Sequence, residues 1–450
     1  MYIIKKVILS TLVLPFLFTS VTSCNRSGTS YIETVAVEPD EKHKAFCNVQ
    51  LAVTRDELVR AGFNYGDVVK VTVKEVEYVD ESGKTSIEDY EDELVYVSNY
   101  NDVGTYCPCL CNYEGGPTEI ANQLNKLHYA KDCAKGKKVI IELKERGSMI
   151  ETIKCLNIAT KLSYEECGGD NLVFSNIRDV VTMGNIYNHM KPGVLYRGSS
   201  PFNPKANPDG RDFIADVTLS EYDINSEINL SVAEGASIKK LMDEVQDRYC
   251  YSFYSRSYDT KTGKKLEFGT NEFITKGLGS NFFRDQGQED MKAILEYIIN
   301  RYNQFKEEGS KPVFYLHCNE GKDRTGFFIL LLEMLCGCSV NDLEEDFMVT
   351  FRNYYNISKI NDERRYSTIA NFIYYRMLYS LIVPAKSNID RANIVGKINY
   401  KFDAKKACED IISKHTEKGF LKLCACKYLE EIGLSTNQIL TIQDCFSRNN

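Results

Sequence analysis

The sequence predicts an α/β fold in which a mostly parallel sheet flanked by helices follows a smaller β-rich unit. Three observations carry that prediction. From about residue 170 to the end, strand-sized apolar runs alternate with helix-periodic ones. Before that point, short runs of alternating polar and apolar residues dominate. A polar loop at 317–326 then joins a short apolar run to a long one, as when a strand feeds a helix.

In the first unit, 44–165, Thr54 and Glu57 have the spacing of a capping box for a short helix that stops at Gly62. Tyr65-Gly66-Asp67 reads as a turn, 68–79 as a strand, and 94–98 and 138–143 as two more. Cys107, Cys109 and Cys111 are alternate residues of one strand and share a face, which suits buried thiols or disulfides better than a zinc site. Asn99 to Asp102 reads as a polar turn.

The second unit, 170–450, reads as a helix at 211–222, a strand at 224–230 and a long amphipathic helix at 288–306 closed by Gly309. A buried strand follows at 311–316 and a buried helix at 325–336, ended by Gly337. Ser339 caps the next helix, 361–382 forms another, and two or three helices fill 402–445, one capped by Ser435. The tyrosine-rich stripes read as packing surface. Neither repeats nor low-complexity tracts occur.

The 317–326 loop carries the chemistry. It reads His317, Cys318, Asn319, Glu320, Gly321, Lys322, Asp323, Arg324, Thr325, Gly326. A loop capping a helix N-terminus offers amide donors and the positive end of the helix dipole, a favourable seat for a phosphate dianion. The same field favours a thiolate at Cys318, the form in which sulfur is a nucleophile. Arg324, in the first helical turn, can grip two phosphate oxygens as a bidentate fork. Thr325 can donate its hydroxyl to the sulfur, Lys322 adds charge at the mouth, and His317 orients the loop.

This segment resembles the signature loop of the cysteine-dependent protein tyrosine phosphatases: His-Cys, five residues, then Arg-Ser/Thr. The Gly-Lys-Asp-Arg-Thr-Gly ending is similar to a bacterial branch of atypical tyrosine phosphatases that also act on phosphoinositides. Leu195-Tyr196-Arg197-Gly198-Ser199 and the stretches around Asp346 and Thr350 to Tyr355 extend the resemblance over about 170–445. It implies a tyrosine phosphatase-like domain with C-terminal helices, substrate contacts from Asn319, Glu320, Gly321, Lys322, Thr325 and Arg197, and no cofactor. The first unit loosely resembles a small β-barrel domain that precedes the phosphatase domain in some related bacterial proteins.

The general acid departs from the pattern. Related sequences carry Asn-Leu-x-Asp after an early strand, whereas Asn229-Leu230-Ser231 is followed here by Val232. Asp323 becomes the leading candidate, with Glu234, Asp285 and Asp290 behind it; the alternative for Asp323 is a carboxylate that braces the loop.

Lys5 and Lys6, the apolar run 7–18 and the small residues before Cys24 fit a signal peptide over 1–23, too short for a comfortable membrane span. Val21 to Cys24 resembles a bacterial lipobox, which implies acylation of Cys24, a tether over 24–43 and an exported, envelope-anchored protein. A net charge of −8 argues against nucleic acid and leaves any membrane attachment to acyl chains. The expected activity is hydrolysis of phosphomonoesters through a phosphocysteine, on phosphotyrosine or dual-specificity protein substrates. The alternatives are phosphoinositides or inositol phosphates, and a surface module that binds a phosphorylated ligand without turnover.

Overall fold

The computed structural model describes residues 30–39, 48–79, 84–103, 107–121, 134–201 apart from 159, 208–230 apart from 220, 249–252, 257–258, 265–266, 285–415 and 419–448. Cys24, Glu234 and the expected signal peptide lie outside them.

The first unit is a closed barrel of seven strands: β1 (Tyr31–Val37), β2 (Val49–Leu51), β3 (Val68–Val79), β4 (Thr85–Val97), β5 (Cys109–Asn112), β6 (Thr118–Ala121) and β7 (Lys138–Glu145). They close in the order β1-β2-β6-β5-β4-β3-β7, antiparallel except for β4 against β5. One expectation is corrected here. Residues 31–37, assigned to a tether, pair with β2 and β7 and close the barrel. Their even positions Ile32, Thr34 and Ala36 are buried while the odd ones are half-exposed, the period of a half-buried strand. Helix α1 (Arg55–Arg60) carries the expected capping box, with Thr54 Oγ1 accepting from the Glu57 amide.

Strand alternation also assigns the cysteines. Leu110 of β5 packs inside the barrel, whereas Cys109 and Cys111, with Cys107, face outward into a core shared with the second unit. All three are buried free thiols. Helix α2 (Ile150–Leu156) lies in the same shared core. Polar ties reinforce the junction: Arg365 donates to the carbonyls of Cys155 and Asn157, and Tyr400 Oη donates to Glu145 at 2.9 Å.

The second unit contains a five-stranded sheet of β8 (Arg178–Asp179), β9 (Leu195–Gly198), β10 (Ser226–Asn229), β11 (Tyr249–Ser252) and β14 (Phe314–His317), in the order β11-β10-β14-β9-β8. Only β8 runs antiparallel. β12 (Ser257–Tyr258) and β13 (Lys265–Leu266) pair as a separate two-stranded ribbon. The helices are α3 (Asn171–Phe174), α4 (Arg211–Leu219), α5 (Asp285–Glu307), α6 (Asp323–Leu335), α7 (Val340–Tyr355), α8 (Glu363–Ile369), α9 (Tyr375–Ile382), α10 (Asn388–Val395), α11 (Ala404–Ile412), α12 (Phe420–Glu431) and α13 (Thr436–Phe446). The single helix expected at 361–382 is interrupted by a π-helical turn, Ala370–Tyr374, between α8 and α9.

Central strand β14 is buried throughout, so its alternate side chains serve two cores. Phe314 and Leu316 join the large core with Ile294 and Ile298 of α5, while Tyr315 joins Ala215 and Leu219 of α4 on the opposite face. Among the described residues no helix is long and apolar enough to cross a membrane.

Candidate active site

The 317–326 loop runs from the end of β14 into α6. Lys322 occupies the N-cap position, and its side chain makes no capping bond. The first amides of α6 are therefore not consumed by a side-chain acceptor, as an anion site at a helix terminus requires. Cys318 lies at the loop's start and is 4% exposed. Arg324 returns from the first turn of α6 and donates to the Leu230 carbonyl at 2.7 Å, which ties the guanidinium to the end of β10. Thr325 Oγ1 is buried and has no hydrogen-bond partner among the described residues, so the expected bond to the sulfur is not formed in this state.

Three successive carbonyls of the loop are held by the surrounding scaffold. Asn319 O accepts from the Ser200 amide at 3.1 Å, Glu320 O from Asn176 Nδ2 at 3.0 Å and Gly321 O from Arg197 Nη2 at 2.8 Å. Among the described residues, the amides of Glu320, Gly321 and Lys322 have no protein acceptor. The loop thus spends its acceptors on the scaffold and keeps its donors, the pattern of an anion nest. Gly321 is required for this geometry. Its φ is +67°, and a Cβ there would lie 2.2 Å from the Gly198 carbonyl oxygen.

Behind the loop is a buried ionic network. Asp346 accepts from Arg178 Nε at 2.8 Å and from Arg197 Nη1, and Arg178 also donates to Asn176 Oδ1 at 2.9 Å. Burial opposes ionisation of Asp346, but the two guanidiniums more than offset it and hold the carboxyl below its usual range. Glu333 is pushed the other way, well above the carboxylate range, by burial and by the charge of Asp346. Arg197 is 1% exposed. It supports the loop from behind through the Gly321 carbonyl and is shielded from solvent. Beneath Cys318, His317 Nε2 lies 2.8 Å from Glu227 Oε1 while Nδ1 faces the Cys318 carbonyl at 3.3 Å.

The mouth is charged, but its charges are engaged. Glu320 pairs with Lys322 at 2.9 Å and with Lys161 at 2.8 Å. Burial disfavours the Glu320 carboxylate, yet the two ammoniums prevail and hold it at about 2. Lys322 Nζ also lies 3.9 Å from Asp323 and over the rings of Phe351 and Tyr355. Lys322 thus stands at the mouth as expected by position, with its charge shared with Glu320 in this state. Asp323, on the first turn of α6, is pushed above the usual carboxylate range by burial; Lys322 opposes that shift and Glu320 adds to it. A carboxyl that keeps its proton more readily suits an acid. The side chains of Asp285 and Asp290 lie outside the described residues.

The loop follows a parallel strand, starts at a buried cysteine, ends at an arginine in the first helical turn and keeps its amides unspent. A family model, the tyrosine phosphatase family, matches residues 173–446. The chain belongs to the tyrosine phosphatase family. Comparison with curated proteins finds no match. Both the loop and the network behind it fall within the matched span, whereas Lys161 precedes it and reaches this phosphatase site from the segment that follows the barrel. Sequence reasoning missed Glu227, Lys161, Asn176 and Arg178. All four act across long chain separations, and the residues around them carry no local spacing pattern. A buried charge inside a strand, as at Glu227 and Arg178, is the one signal that was there to use.

Proposed function

We propose that this phosphatase-family chain hydrolyses phosphomonoesters through a phosphocysteine intermediate, with phosphotyrosine or dual-specificity protein substrates as its physiological class. The observation that carries the reading is that Cys318 and Arg324 flank a loop of which three successive carbonyls are turned onto the scaffold. The amides from Glu320 to Lys322 cradle the phosphate, and Arg324 grips two of its oxygens. Cys318 sulfur attacks phosphorus, the phosphorus–oxygen bond to the leaving group breaks, and Asp323 gives that oxygen its proton. Water then attacks the phosphocysteine, Asp323 takes back a proton, and the sulfur leaves as thiolate with Thr325 donating to it.

Inositol phosphates and phosphoinositides form the second reading, favoured by the presence of both Lys161 and Lys322 at the mouth. On this proposal the protein is exported and anchored through an acylated Cys24, so its substrates are met in the cell envelope. The test is phosphate release by the chain starting after Cys24, with and without Cys318→Ser, from phosphotyrosine peptides, phosphoserine peptides, phosphoinositides and inositol hexakisphosphate. Release that depends on Cys318 from phosphotyrosine peptides above the others is expected. Release from none under reducing conditions overturns the reading in favour of a binding module.

A further inference from the structure

A second basic cavity lies at the far end of the sheet. Strands β9 and β14 are parallel neighbours, and the Cys318 loop leaves the C-terminal end of β14. At their N-terminal ends the segments entering both strands, together with α5 and α13, line an open cavity of about 410 Å³. That volume falls within the roughly 300–1,000 Å³ of small-molecule sites.

Its lining pairs cations with an apolar floor. Val194, Pro312 and Cys445 are buried, while Lys191, Lys306 and Lys311 all border the space. Asp444 pairs with Lys306 at 3.3 Å and also accepts from Tyr302 Oη. The Tyr302 hydrogen bond holds Asp444 below the usual carboxylate range, so this carboxylate is ionised. Lys191 donates to the Asp444 carbonyl and Lys311 to the Pro192 carbonyl at 3.0 Å, and Lys191 also acts on the Asp444 carboxylate at a distance. Asp179 is near enough to Lys311 to be influenced by it, but it accepts from the amides of Gly193 and Val181. Three ammoniums against two carboxylates, Asp444 and Asp179, is a local excess of positive charge on a chain whose net charge is −8.

We infer that this cavity is a second anion site, remote from Cys318, that takes a small multiply phosphorylated molecule. Lysine ammoniums are mobile point charges, suited to several phosphates on a compact ring rather than to one phosphate gripped in a plane. The apolar floor accommodates the ring. The inference is independent of the reaction proposed for Cys318, since no cavity residue belongs to that loop.

Calorimetric titration of inositol hexakisphosphate into the full chain carrying Arg324→Met tests it, because that substitution disables the anion fork of the Cys318 loop and leaves the cavity untouched. Saturable binding of about one equivalent is expected, and adding Lys306→Gln and Lys311→Gln is expected to weaken it by roughly tenfold per lysine. Both side chains are exposed, so the unfolding temperature should hold, and turnover of a small aryl phosphate by the lysine variant with Arg324 intact should stay within about twofold. Absence of saturable binding to the Arg324→Met chain overturns the inference. So does binding unchanged by the two lysine substitutions, or full displacement by inorganic phosphate at equal concentration.

Discussion

Glu227 Oε1 lies 2.8 Å from His317 Nε2, and neither side chain has any solvent exposure. Glu227 sits on β10 and His317 on β14, which are paired in parallel register, so the contact joins two central strands directly beneath Cys318. The other ring nitrogen faces the Cys318 carbonyl at 3.3 Å, so the ring is flanked by oxygen at both ends.

Removing the carboxylate should therefore loosen the nucleophile as well as the core. Glu227→Ala leaves a buried ring nitrogen without its partner, a cost of about 1–3 kcal/mol, whereas Glu227→Gln retains a hydrogen-bonding group of the same shape. Urea unfolding should rank wild type, Gln and Ala in that order, and kcat should fall in the same order with KM little changed. Equal kcat in all three would show that the contact serves folding alone.

Gly321→Ala should damage site and fold together. Positive φ costs a non-glycine residue about 1–3 kcal/mol, and the new methyl meets backbone of β9 that cannot swing aside. Differential scanning calorimetry should show a lower unfolding temperature, and phosphate release should fall far more than stability does, because the amides around residue 321 move with it.

Acid stability should depend on Glu320. Its carboxyl sits at about 2 in the folded protein against 4.5 for the free group, so its contribution is complete above pH 4.5 and is lost as pH falls from there toward 2. The upper bound is about 3 kcal/mol. Denaturation followed from pH 6 to pH 2.5 should show a steep acid limb in the wild type and a shallower one in Glu320→Gln. Parallel limbs would mean that Lys161 and Lys322 do not hold this charge in solution.

The acid role of Asp323 is separable by leaving group. A phenolate of low basicity leaves without a proton, while an alkoxide does not. Asp323→Asn should therefore slow alkyl phosphate hydrolysis by about 10²-fold or more and p-nitrophenyl phosphate much less. Burial raises the carboxyl above its usual range, so the wild-type rate on alkyl substrates should persist to higher pH than an ordinary aspartate allows, and the basic limb should vanish in the mutant. Equal losses on both substrates would assign Asp323 to bracing.

Local rules account for what could be read along the chain. The capping boxes at Thr54, Ser339 and Ser435 form as their spacing requires, because a cap involves residues three apart and needs no tertiary help. The buried runs at β14 and α6, and the order of Cys318 through Arg324 between them, were visible for the same reason. Residues 31–37 were misread because a short strand on the margin of a polar stretch is stable only once β2 and β7 pair with it.

By itself, the sequence determined that a cysteine and an arginine share one loop at a helix N-terminus, since five intervening residues and a glycine are a local geometric instruction. Tertiary structure alone decided which charges reach that loop. Arg197 lies behind it rather than on the surface, Lys322 is held by Glu320, and Lys161 arrives from the segment following the barrel. Glu227 lies 90 residues from His317 along the chain, and only the pairing of two parallel strands brings them together. Chain spacing specifies contacts within a turn or a helix. Contacts between charges distant in sequence follow from strand order and burial, where an ion stays charged only beside the partner that the fold delivers.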